Sequence, residues 1–143
     1  MSRNGMTGMI RLHKWQLDEK RRDMVELEKM KADLQQNLTD LQTELIAEQK
    51  KVAESPVVSI AYAGYAQQVM VRRMNIVNSI LEIDASIEEM KDQLADAFKE
   101  LKKYEVVEQR ERQRELAERD RRTQTELDEV AINMHRRRNQ KLG

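Results

Sequence analysis

The chain has 143 residues, with 26 basic and 26 acidic residues, four Gly, one Pro and no Cys. With 36% charged and only 3% aromatic residues it lacks the side chains for a thick globular core, and its richness in Leu, Ala, Glu, Lys and Arg is typical of long helices. The absence of Cys excludes a disulfide framework, a thiolate zinc site and a Cys nucleophile, and the balanced charge gives no general attraction to nucleic acid.

No segment of the sequence has the length and hydropathy of a membrane span or a secretion signal. The N-terminal residues lack the apolar core of a signal peptide. The most apolar stretch is 57–66, whereas a membrane-spanning helix needs about 20 apolar residues. We therefore expect a soluble, cytoplasmic protein.

Pro56 is the one strong helix breaker, and it divides the chain into two predicted helices. Ser55 suits an N-cap, with Pro56 at the first helical position. Gly5 and Gly8 predict a loose N-terminal arm. We expect a single coiled-coil domain over 1–143, made of a helix over about 9–52, a turn over about 53–58 and a helix over about 59–138.

The first helix carries two rows of residues at heptad spacing, most of them apolar. Its first row consists of Ile10, Leu17, Met24, Lys31, Leu38, Leu45 and Val52. Its second row consists of His13, Lys20, Leu27, Leu34, Leu41 and Glu48. Such a pattern predicts a coiled-coil seam, in which side chains of one helix pack between those of another.

The second helix carries a more regular heptad, which Arg73 alone interrupts with a charge. Its first row consists of Ala66, Arg73, Ile80, Ile87, Leu94 and Leu101. Its second row consists of Val69, Ile76, Ile83, Met90, Ala97 and Tyr104. The sustained period predicts the same kind of packing as in the first helix.

The two seams fit each other in an antiparallel hairpin. Pairing like rows places Lys31 opposite Ile80 and Tyr104 opposite residues 6 to 7. A parallel homodimer of the first helix would instead set Lys31 against its own copy, which polar seam positions disfavour. We therefore expect an all-α fold, a long antiparallel two-helix coiled-coil hairpin with a protruding C-terminal helix.

The protruding part begins after Tyr104, where the seam phase reaches only Glu residues. Its last 35 or so residues would extend roughly 50 Å, and alternating Glu and Arg over 105–122 can support a solvated helix. A new apolar stripe, shifted by one residue, consists of Leu116, Thr123, Leu127, Val130 and Met134. This stripe predicts a docking face for another protein, with dimerisation or a folded-back tail as alternatives.

A second candidate surface lies near the turn, where Tyr62, Tyr65 and Val69 are accompanied by Met70 and Met74. One interpretation is that these side chains close the end of the hairpin. The other is a partner-binding face, because aromatic and Met side chains in a patch often mark binding.

The sequence contains no recognisable catalytic or metal-binding pattern. His13 and His135 lie far apart, and neither a His-x-x-x-His pair nor a Gly-rich phosphate loop occurs. A two-helix protein also offers no concave pocket. We therefore expect a protein that is not an enzyme and has no metal or cofactor.

A basic zipper is the DNA-binding alternative, because a basic run at 20–22 precedes Leu27, Leu34 and Leu41. The region around that run also contains Trp and several acidic residues, and a zipper leaves the second helix unexplained. The basic run at 136–138 is explained by the dipole of the helix end. We expect no binding to nucleic acid.

Several segments resemble the flagellar export protein FliJ family. They are the amphipathic run 17–45, the aromatic and polar run 62–69, the basic and Leu-containing run 99–104, and the run 125–131. The most distinctive element is Leu-Asp-Glu-Val-Ala at 127–131. Tyr104 stands where the family often has Leu.

The resemblance implies a role in the flagellar type III export apparatus. A FliJ-like protein is similar to the stalk of rotary ATPases: a monomer that enters a hexameric ATPase ring (FliI-like), contacts the export gate (FlhA-like) and recycles substrate chaperones. It would be at most peripheral to the inner membrane. The residues implied to face the ATPase are Leu116, Thr123, Leu127, Asp128, Val130 and Met134. Those implied near the gate or chaperones are Tyr62, Tyr65 and Val69.

The alternative function is a generic coiled-coil scaffold or adaptor that forms homodimers. A stalk should be a monomer that raises the activity of a hexameric ATPase, whereas a scaffold should be a stable dimer. A DNA-binding protein should bind duplex DNA at low salt and lose it steeply as salt rises.

Overall fold

A computed structural model of the chain describes residues 3–54 and 59–142, and all of them lie in two α-helices. Helix α1 spans Arg3–Glu54 and helix α2 spans Ser59–Leu142. The two helices pack against each other and no strand occurs in these ranges, which confirms the all-α helical hairpin. Of the predicted turn over about 53–58, residues 53 and 54 belong to α1, and the remainder, with Ser55 and Pro56, lies outside the described residues.

Both helices are longer than predicted. Helix α1 begins at Arg3, so the prediction of a loose arm at Gly5 and Gly8 is wrong, and α2 continues to Leu142. Met6 and Met9 are half-buried and Ile10 is buried. Packing of these side chains supports the first turns of α1 and offsets the poor helix propensity of Gly.

The chain divides into two compact units. The middle unit comprises Trp15–Phe98, and the terminal unit comprises Met1–Lys14 together with Lys99–Gly143. Each unit therefore contains a part of α1 and a part of α2.

The core of the middle unit is the predicted seam. Its most deeply buried side chains are Leu17, Met24, Leu41, Val69 and Ile87. Every predicted seam position in this unit is buried or half-buried except Arg73, which is exposed. The heptad therefore identified the packed faces of both helices correctly.

The predicted pairing between the two seams is wrong. In the middle unit Lys31 Nζ lies 2.6 Å from Asp84 Oδ1, one turn beyond the predicted partner Ile80. In the terminal unit the ring of Tyr104 stacks on that of His13, whereas the prediction placed Tyr104 opposite residues 6 to 7. Asp84 follows Ile83 of the second row of α2, so the Lys31 contact fits a pairing of the first row of α1 with the second row of α2. Pairing like rows buries the same faces, so the hydrophobic pattern alone does not separate the two registers.

Over their described residues, neither α1 nor α2 contains a stretch long and apolar enough to cross a bilayer.

Candidate partner-binding surface

The terminal unit contains a helical stretch whose side chains no other described residue covers. Ile10 and Leu101 are buried, and His13 and Tyr104 are half-buried with their ring centroids 4.7 Å apart. Half-burial along α2 ends at Glu108, and every side chain from 109 to 141 is exposed. We call residues 109–141 the bare segment; at 1.5 Å per residue it is about 50 Å long.

Local ion pairs stabilise the bare segment as a helix. Arg112 Nη2 donates to Glu108 Oε1 at 2.7 Å, and Arg122 Nη2 donates to Glu118 Oε1 at 2.9 Å. Arg114 pairs with Glu111 at 3.3 Å. A Glu that precedes a basic residue by three or four positions stabilises an isolated helix by about 0.2–0.5 kcal/mol. Secondary structure here is thus supported without a hydrophobic core.

The predicted apolar stripe lies on the bare segment and is exposed along its whole length. We call it the docking stripe, and its members are Leu116, Thr123, Leu127, Val130 and Met134. Leu127 is 58% exposed and Met134 is 66% exposed. Spacings of seven, four, three and four residues keep these side chains on one face of α2, where a partner can cover them together.

Asp128 and Thr123 make local hydrogen bonds in the structure. Asp128 Oδ1 accepts a hydrogen bond from Gln124 Nε2 at 3.2 Å, and the Thr123 hydroxyl donates to the Arg119 carbonyl oxygen at 3.0 Å. Asp128 follows Leu127 by one residue, which places it about 100° around the helix. It therefore lies beside the docking stripe and not within it.

Ile132 is an exposed apolar residue that sequence reasoning missed. It is 53% exposed and follows Val130 by two residues, so it lies on the opposite side of the bare segment from the docking stripe. No periodic pattern includes it, because no other apolar residue shares its face nearby. Its position makes it a matched control for the docking stripe.

The residues predicted near the turn are largely part of the packed seam. Tyr62 and Tyr65 are half-buried, and Val69 is only 3% exposed. Glu48, which lies in the seam of α1 in the same unit, pairs with Lys51 at 3.5 Å. Val69 thus contributes packing and has almost no surface to offer to a partner.

An exposed apolar stripe on α2 begins beside these residues. Its members are Met70, Met74, Val77 and Leu81, and Met74 is 66% exposed. The spacings of four, three and four residues are the signal for a helix face, but they run parallel to the stronger seam pattern of α2. Sequence reasoning noticed Met70 and Met74 and missed the continuation to Val77 and Leu81.

The described residues include no group of three or more His, Cys, Asp or Glu side chains that could hold a metal ion. His13 is stacked on Tyr104, and His135 Nε2 lies 3.3 Å from Asn139 Nδ2 on the bare segment. The groups that the bare segment presents are apolar and charged side chains.

Comparison with known proteins supports one family. The family model described as "Flagellar FliJ protein" matches residues 4–140, which is nearly the whole chain. No curated protein and no solved structure matches the chain.

Proposed function

From the premise that this chain belongs to the flagellar FliJ protein family, we propose that it is the stalk-like partner of a hexameric, FliI-like export ATPase. Membership makes it a flagellar export-related protein associated with the export apparatus. In this role it regulates the ATPase and performs no catalysis itself. It acts in the cytoplasm, at most peripheral to the inner membrane.

The observation that carries this proposal is the exposed docking stripe on the bare segment. An apolar stripe on a helix is ordinarily buried against another element, because exposing apolar surface costs about 25 cal/mol per Å². The described part of the chain covers none of the stripe. A single helix about 10–12 Å in diameter is slender enough to enter the opening of a ring.

The experiment is to add the purified chain to the hexameric export ATPase of the same organism and to measure binding and ATP hydrolysis. We expect wild type to bind the ring as a monomer and to raise its activity. We expect Leu127→Asp with Val130→Asp to abolish both effects, because two charges then replace apolar contacts.

The matched control is Ile132→Asp, which adds a charge to the same bare segment on the side away from the docking stripe. It should bind and stimulate like wild type. Stimulation by the double variant at the wild-type level would refute the proposed docking face. A stable dimer at micromolar concentration that leaves the ATPase unaffected would favour the homodimeric scaffold.

A contact with an FlhA-like export gate, or with substrate chaperones during their recycling, belongs to the same proposal. Tyr62 and Tyr65 retain part of their surface, and Met70 and Met74 extend this apolar area. Soft Met side chains adapt to differently shaped partners. Met70→Asp with Met74→Asp should reduce binding to the gate or chaperone without changing stimulation of the ATPase.

A further inference from the structure

The last turns of α2 carry positive charge without an Asp or Glu close by in the sequence. Residues 130–141 contain four basic residues and no Asp or Glu. We call Arg137, Arg138 and Lys141 the basic end. They follow Met134 by three, four and seven residues, so they continue the face of the docking stripe.

Local ion pairs do not account for the basic end. Arg112 and Arg122 each have a Glu four residues before them, and both ion pairs form. At three and four residues from Arg137, Arg138 and Lys141, by contrast, the sequence offers no Asp or Glu side chain. These three charges are therefore left for solvent or for a partner.

The helix dipole explains only part of this charge. Its effect falls off within the last turn of a helix. Lys141 is the basic residue in the last turn of α2, whereas Arg137 and Arg138 precede it. The explanation from the sequence, that the basic run at 136–138 complements the helix end, therefore does not hold for Arg137 and Arg138, whereas Lys141, outside that run, lies in the last turn.

The basic and apolar groups share one surface. Met134, Arg137, Arg138 and Lys141 lie next to one another on this end of α2, together with Ala131, His135 and Gln140. Whatever covers Met134 from this side also meets the guanidinium groups. A partner that offered only apolar surface here would have to desolvate them without compensation.

The remaining charges favour a protein as the partner. Glu126, Asp128 and Glu129 lie about 15 Å before the basic end, so a lipid surface or a nucleic acid that ran along the bare segment would bring its phosphates against these carboxylates. The bare segment also contains no Trp or Phe, which interfacial membrane helices use as anchors. A protein partner can instead present carboxylates opposite the basic end alone.

We propose that the wall, meaning the partner's surface around α2, changes from apolar opposite the docking stripe to carboxylate-rich opposite the basic end, which begins about 5 Å beyond Met134 along α2. This inference rests on the proposed function, because the wall belongs to the opening of the export ATPase ring. The position at which this wall changes from apolar to acidic determines how deeply α2 enters the opening of the ring. Bidentate pairing with carboxylates explains the use of Arg at two of the three positions.

The test measures the Kd of the chain for the ATPase ring between about 50 and 300 mM NaCl. Replacing Arg137, Arg138 and Lys141 together by Ala should weaken binding by about tenfold and flatten its salt dependence. The variant with Arg137→Lys and Arg138→Lys keeps the charge, so its affinity should lie between those of the triple Ala variant and wild type. The matched control replaces Arg110, Arg121 and Arg136 by Ala, which removes equal charge from the side away from the stripe and should change Kd by less than about threefold.

The outcomes separate this inference from the proposed function. If wild type does not bind the ring at any salt concentration, both fail. Suppose instead that wild type binds and that Leu127→Asp with Val130→Asp abolishes binding. If the basic-end variant then keeps the wild-type Kd and salt dependence, only the carboxylate-rich wall is refuted. Flotation of wild type, but not of the basic-end variant, with phosphatidylglycerol vesicles would also overturn it, in favour of lipid headgroups.

Discussion

Lys31 Nζ and Asp84 Oδ1 lie 2.6 Å apart and join α1 to α2 within the middle unit. Lys31 occupies a seam position that is apolar in most other heptads of its row, and about a third of its side chain is exposed. Its reach to Asp84 marks the register in which the two helices pack. Polar residues at seam positions commonly select one register and lower stability.

We expect Lys31→Leu to keep or raise the free energy of unfolding of the middle unit. An exposed ion pair contributes less than about 1 kcal/mol, and aliphatic packing in the seam replaces it. Chemical denaturation followed by circular dichroism measures the change. A loss above about 2 kcal/mol would contradict this prediction and assign Lys31 a larger role in stability.

The stacked rings of His13 and Tyr104 should stabilise the start of α1 in the terminal unit. Their planes are 24° apart, and Lys103 Nζ lies 5.9 Å from the Tyr104 ring centroid. Tyr104→Ala should cost about 1–2 kcal/mol, and Tyr104→Phe should be nearly neutral because it keeps the ring. Hydrogen exchange of the α1 amides before residue 14 reports the effect; equal exchange in both variants would mean that the stack contributes nothing.

Burial should separate two apolar residues of α2 that are six positions apart. Ile87 is 8% exposed and Leu81 is 61% exposed. Ile87→Asp should cost several kcal/mol, because it buries an unpaired charge, whereas Leu81→Asp should cost less than about 1 kcal/mol. Thermal melting of the two variants measures the difference, and similar melting temperatures would show that the packed face has been misidentified.

Leu127→Asp with Val130→Asp should leave the far-UV circular dichroism nearly unchanged. Both residues are exposed, so the cost is limited to helix propensity, about 0.5 kcal/mol per residue. Leu101→Asp is the contrasting variant, since Leu101 is buried in the same helix and unit. Loss of helix in the double variant would mean that the bare segment packs within the monomer.

Gly64→Ala should raise the free energy of unfolding by about 0.5–1 kcal/mol. Gly64 lies within α2, and a Cβ placed on it would meet no atom within 4 Å. Ala therefore gains helix propensity without a clash. A lower melting temperature for this variant would indicate that the first turns of α2 are not helical in solution.

Hydrophobic spacing predicted the packed faces well, because burial at a period of 3.5 residues leaves a direct mark on the sequence. Leu41, Val69 and Leu101 are all buried as that pattern requires. The residues of the docking stripe could be predicted for the same reason, because their apolar spacing is shifted by one residue from that of the seam.

Register and helix ends were harder to predict. Two pairings of the rows bury the same side chains, and only cross-helix contacts such as Lys31 with Asp84 distinguish them. Gly5 and Gly8 suggested a loose arm, but tertiary packing of Met6 and Met9 overrides local propensity. The exposed stripe from Met70 to Leu81 was missed because the adjacent seam dominates the local pattern.

Because no side chain between 109 and 141 is part of the packed core, the docking that we propose is the main function on which selection can act in that stretch. In a saturation-mutagenesis library scored for both cellular abundance and flagellar motility, the relation between the two scores should therefore differ between parts of the chain. In the packed stretches the two scores would fall together. Beyond residue 108, motility would fall while abundance held, and the positions where this happens would trace the partner's footprint residue by residue.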